Sequence, residues 1–134
     1  MEKLGLGTLA HQCDDICAHN ASMDSQRRFA AYTGAACIDW CGHETRSTFS
    51  VAGNMLAGAA VLAETVRAYE ANTALPFARR LIVAMRAGEA ACGDKRGKQS
   101  AALLIHDGES YPLYDLRVDG LEDLISRSIA EGYE

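Results

Sequence analysis

Two amphipathic helical patterns stand back to back in the middle of the chain, and they constrain the fold more than any other feature. Within residues 56–71, Leu62, Val66 and Tyr69 recur at i, i+4 and i+7, while Glu64, Arg67 and Glu70 take the other side. A second pattern opens at Pro76, a residue suited to a first helical turn. Phe77, Leu81, Ala84, Met85 and Gly88 form its expected buried stripe, and it ends by Gly93. Each helix has a single apolar stripe, so both must lie against another layer rather than be buried all round.

The flanking sequence supplies that layer. Residues 28–33 and 48–52 have the aromatic, β-branched and small-residue character of strands, the first preceded by a turn over 24–27. Residues 100–106 are apolar nearly throughout, as expected of a strand covered on both faces. After an Asp107-Gly108 turn, residues 111–118 return as the second arm of a hairpin. Less regular helical patterns over 3–19 and 121–130 close the two ends, the latter with Leu121, Leu124, Ile125 and Ile129 inward. The order predicts an α/β (α+β) layered sandwich, with antiparallel strands flanked by helices, in a single domain over residues 1–134.

A net charge of −5 with no basic stripe argues against nucleic acid as a partner, since binding needs a clustered positive face. No apolar run approaches the roughly 18 residues that cross a bilayer, so no membrane partner is expected. The N-terminus lacks the apolar core of a secretory signal. Five cysteines without such a signal point to reduced thiols and a cytoplasmic location.

Several groups of residues are suited to chemistry. Along 111–119 the period of two puts Leu113, Asp115, Arg117 and Asp119 on one face. An arginine between carboxylates can orient a planar anion or a carbonyl. On the residues alone, a solvated face of weak ion pairs, each worth at most about 1 kcal/mol, is the preferred reading. Residues 93–100 imitate a phosphate loop and fail its test. Three residues rather than four separate Gly93 from Gly97, Lys98-Gln99 follows, and a strand rather than a helix comes next.

Cys13 with Cys17 and Cys37 with Cys41, near His11, His19 and His43, invite a zinc site. Structural zinc sites more often use closer pairs, so core thiols are expected, with neither metal nor cofactor. A Cys37 nucleophile assisted by His43 lacks an evident third member. Trp40 reads as a packing anchor. Asn54, between a strand and a helix, reads as a helix cap in preference to an oxyanion donor.

Five phrases in order carry a resemblance: Tyr32-Thr33-Gly34-Ala35-Ala36-Cys37; Trp40-x-Gly42-His43; Val51-x-Gly53-Asn54-Met55-Leu56-Ala57-Gly58; Gly93-Asp94-x-Arg96-Gly97-x-Gln99-Ser100-Ala101-Ala102-Leu103; and Asp115-Leu116-Arg117-Val118-Asp119. Together, over about 24–119, they resemble the domain-of-unknown-function family 1028, whose members are regarded as predicted Ntn-hydrolase-superfamily proteins. The resemblance implies a partial αββα sandwich, of which this chain holds the C-terminal three-fifths. It implies a small-molecule substrate with an amide or acyl bond, attacked by an N-terminal Thr, Ser or Cys whose own α-amine is the base.

Carried over by position, Asn54, Asp115 and Arg117 are the expected catalytic residues. Thr33, His43, Asp94, Arg96, Gln99 and Asp119 are expected to bind substrate. Two departures stand out. Met1-Glu2 offers no nucleophile, and Gly120-Leu121-Glu122 stands where the family tends to carry a further Asp and a His-Pro. The resemblance therefore implies a chain whose nucleophile segment is supplied upstream or by a complementing N-terminal chain. The alternative is a non-catalytic remnant or binding module that forms a homo-oligomer to cover the missing strands.

Overall fold

The computed structural model describes the backbone of residues 19–119, with side chains from Ala21 to Val118. The helical patterns over 3–19 and 121–130 lie outside the described residues, save for His19, which opens a strand. In chain order the elements are β1 (His19–Met23), β2 (Phe29–Thr33), β3 (Gly42–Thr45), β4 (Ser50–Gly53), α1 (Ala59–Ala71), α2 (Phe77–Ala90), β5 (Ser100–Ile105) and β6 (Tyr114–Asp119). The mixed α+β class follows from them. Each strand pairs antiparallel with its neighbour in sequence, giving three two-stranded sheets. No helix of the described residues is long and apolar enough to cross a membrane.

Local chemistry accounts for the first ribbon. The Asp24 carboxylate accepts hydrogen bonds from the backbone N–H groups of Gln26 (2.9 Å) and Arg28 (2.8 Å) and from Arg28 Nε (2.6 Å). This side-chain turn reverses the chain between β1 and β2. The same bonds, that from the Arg28 backbone first, hold the Asp24 acid below its ordinary value.

The core lies mainly between the two helices. Val61, Leu62, Val66 and Ala68 of α1 are buried, with Ala84 and Gly88 of α2. A side chain at Gly88 would collide with Thr65 Oγ1, so the missing Cβ is what lets α2 approach α1. Phe49, just ahead of β4, packs its ring 4.5 Å from that of Tyr69. The Arg80 guanidinium lies 3.7 Å from the Tyr69 ring centroid and donates to its backbone carbonyl, joining α2 to the same cluster.

Several expectations are corrected. The first helix begins at Ala59 with Gly58 at its cap position, so Asn54 lies too far ahead to cap it. The stripe expected on α2 is only half buried, because α1 covers the Ala84–Gly88 line. Phe77 and Met85 remain 53% and 41% exposed. Residues 100–105 are not covered on both faces. Exposure alternates along β5, leaving Leu104 58% exposed, since no described element lies against that side. The returning strand starts at Tyr114 rather than at 111, and His43 sits in a strand, β3, that the sequence pattern did not lead one to expect.

Candidate functional site

Three of the motif phrases meet at one junction. Trp40 and Leu56 exchange backbone hydrogen bonds, Met55 N–H donates to the Ile38 carbonyl, Ala57 N–H to that of Gly93, and Lys95 N–H to that of Met55. Leu56 and Asp94 form an isolated antiparallel bridge, and Lys95 Nζ donates to the Asp39 carbonyl. Loops 38–42, 53–57 and 93–97 are thereby fastened into one surface.

Met55 holds φ of 58°, in the left-handed region that non-glycine residues rarely adopt. Such strain persists where its surroundings over-determine it, and here the bonds at 38, 56 and 95 do so. The Trp40 ring lies over Gly42 so closely that a Cβ there would stand 2.5 Å from the ring carbon Cη2. Trp40 thus anchors the junction, as its place in the sequence suggests.

The expected site residues are distributed around this surface unevenly. Thr33, at the end of β2, and His43, in β3, join through Thr33 Oγ1 and His43 Nδ1 at 2.8 Å. The threonine hydroxyl donates in one imidazole tautomer and accepts in the other. Asn54 follows Gly53, whose register partner is Gly42, so its backbone lies beside the Trp40-Gly42-His43 phrase. Its side-chain oxygen is buried.

Asp94 folds back on its own loop. Its carboxylate accepts from Arg96 N–H (2.8 Å), Arg96 Nε (2.9 Å) and Arg96 Nη2 (2.7 Å). These bonds, the guanidinium's foremost, lower the Asp94 pKa to about 2 and raise that of Arg96. Gln99 is exposed at the end of the same loop, next to the start of β5.

The 115–119 face stands apart. Asp119 pairs with Ser100, Arg117 with Ala102 and Asp115 with Leu104. At about 3.3 Å per residue, only the Asp119 backbone lies level with the loop's end; Arg117 is about 7 Å and Asp115 about 13 Å further along the ribbon. Asp115 and Arg117 occupy its exposed side, while Tyr114, Leu116 and Val118 are half-buried on the other. Among the described residues no hydrogen bond or ion pair links either of them to the 93–97 loop.

Cys37 is buried, Cys41 half-buried and Cys92 exposed, none of them in a disulfide; Cys13 and Cys17 lie outside the described residues. Sequence reasoning missed two supports, the backbone of Met55 and the Lys95 ammonium on the Asp39 carbonyl. Neither leaves a signature in composition or period, because both depend on which loops meet.

A family model described as a family of unknown function (DUF1028) matches residues 18–127. No curated protein matches the chain. Among solved structures, the crystal structure of protein SPO2555 from Silicibacter pomeroyi, assigned to the same family model, is similar at a TM-score of 0.69 and 33% identity. The likeness covers 83% of this chain and 48% of that one, so this chain spans about half of that protein's length.

Proposed function

Because the chain belongs to the DUF1028 family, we propose that it forms the substrate-orienting part of an amide- or acyl-bond hydrolase of the Ntn type. The observation that carries this reading is the junction itself. Polar groups from separate phrases, namely Thr33 with His43, Asn54, and Asp94 with Arg96, stand around one strained surface held by backbone bonds.

In this proposal the nucleophile belongs to a segment outside the described residues. Its hydroxyl or thiol attacks the carbonyl carbon while its own α-amine, titrating near pH 8, takes the proton. That proton passes to the leaving amine as the C–N bond breaks, and water then releases the acyl group. Asn54 Nδ2 would donate to the oxygen that gains charge during attack. Arg96, Gln99, Thr33 and His43 would hold the polar parts of a small-molecule substrate. Asp115 and Arg117 would line a further wall, formed when the open face of the hairpin is covered; the Asp119 side chain lies outside the described residues. The acidic net charge and the reduced thiols fit a cytoplasmic enzyme that uses neither cofactor nor nucleic acid.

The test is turnover of a panel of chromogenic amides by the protein as its gene encodes it. Loss of one oxyanion donor typically lowers kcat by about 100-fold or more, and that is the expected effect of Asn54→Ala. Unchanged turnover in that variant would remove the oxyanion role.

A second reading is favoured by one observation, the uncovered hairpin face bearing Leu104 at 58% exposure. A non-catalytic binding module could cover it with a second copy. Absence of turnover across the panel, with a concentration-dependent dimer, would favour this reading over the hydrolase.

A further inference from the structure

Two ribbons are tied together through one imidazole. Thr33 ends β2 and His43 stands in β3; the two strands belong to different sheets and lie side by side. Thr33 Oγ1 and His43 Nδ1 are 2.8 Å apart across that gap. The backbone beneath the ring is held as well, since Trp40 packs over Gly42 and Gly42 pairs with Gly53. The His43 side chain is exposed, and among the described residues no group bonds to its other ring nitrogen, Nε2. One nitrogen is therefore fixed by a neighbouring sheet while the other faces outward.

We propose that His43 is the general base of the step in which water releases the acyl group, and that Thr33 is its positioning residue. This role rests on the hydrolase reading above and supplies the base which that reading leaves unassigned for its second half. The location agrees. His43 pairs with Ala52 and Gly42 with Gly53, so His43 and Asn54 leave the same end of the β3–β4 ribbon. An imidazole is also the side chain best matched to proton transfer near neutrality.

The proton inventory fixes the tautomer. Nδ1–H donates to Thr33 Oγ1, which leaves the Nε2 lone pair to accept. Water attacks the acyl carbon as its proton passes to Nε2. The bond between that carbon and the nucleophile's oxygen or sulfur then breaks, and Nε2 returns the proton to the departing atom. One water is consumed, a carboxylic acid leaves, and imidazole and nucleophile are restored.

Two measurements on the protein as its gene encodes it test the role. Nitrogen spectra of the imidazole should show His43 as the neutral tautomer with hydrogen on Nδ1. Thr33→Ser should keep that tautomer and Thr33→Val should lose it. Hydrogen on Nε2 in the wild type would overturn the role, because that nitrogen could then accept nothing.

The second is turnover of chromogenic esters, with the mass of the intact protein followed during the reaction. His43→Gln should lower kcat by about 100-fold while kcat/KM stays nearly unchanged, because release is slowed and attack is not. An acyl adduct should accumulate on that variant. Thr33→Val should move kcat the same way by a smaller factor, and Thr33→Ser should restore it; this pair decides the question if His43→Gln fails to fold. Turnover by the wild type with no adduct and no loss of kcat in the variants would overturn this role and leave the hydrolase reading standing. No turnover by the wild type would overturn both.

Discussion

Asp94 gives the site its clearest acid dependence. Its folded pKa of about 2 lies below the ordinary 3.8, so its pairing with Arg96 stabilises the fold fully above about pH 4. That contribution fades as pH falls through 4 toward 2, when the carboxylate takes a proton. Asp94→Asn should therefore flatten the acid limb of thermal stability within that window, as melting curves between pH 5 and 2 would report. Gly42 poses a steric question instead. Gly42→Ala forces the Trp40 ring aside and should destabilise by about 1–3 kcal/mol, measured by urea titration followed through Trp40 fluorescence. Much of the candidate site was legible as words: Thr33, His43, Asn54, Asp94 and Arg96 all lie within the ordered phrases. Their neighbours were not. The Thr33–His43 bond requires β2 to lie beside β3, and nothing in a ten-residue spacing encodes that. Asn54 reads as a cap only when the helix is taken to start at Leu56, and Gly58 shows the chain continuing extended beyond it.

Among the elements, α1 was the most legible because its stripe has one period and one partner. Leu62, only 3% exposed, is the position where truncation should matter most. Leu62→Ala should cost about 2–5 kcal/mol in denaturant unfolding, while Met85→Ala, on the open side of α2, should stay within about 0.5 kcal/mol. The second helix was half legible. Its periodicity locates an apolar side but cannot say how wide a covering that side receives. Strands β1 and β3 were missed for a different reason. His-Asn-Ala-Ser-Met and Gly-His-Glu-Thr hold no run of β-branched or aromatic residues, and only pairing with β2 and β4 makes them strands. Strand β5 shows the reverse error. Unbroken apolar composition was read as two covered faces, although Leu104 is open.

At the scale of the molecule, the β3–β4 ribbon packs against both α1 and the β1–β2 ribbon, and every ribbon keeps two unpaired edges among the described residues. If the outer hairpin face joins two copies, Leu104→Asp should shift a sedimentation profile from dimer to monomer without altering the far-ultraviolet spectrum. The junction of loops 38–42, 53–57 and 93–97 has another consequence, one of time rather than of shape. Each ribbon links residues close in sequence and can close within microseconds, whereas the junction must gather segments tens of residues apart. It should therefore form after the folding transition state. Gly42→Ala would then quicken unfolding while leaving the refolding rate nearly unchanged, so the candidate site would be the last part of the molecule to assemble and the first to come apart.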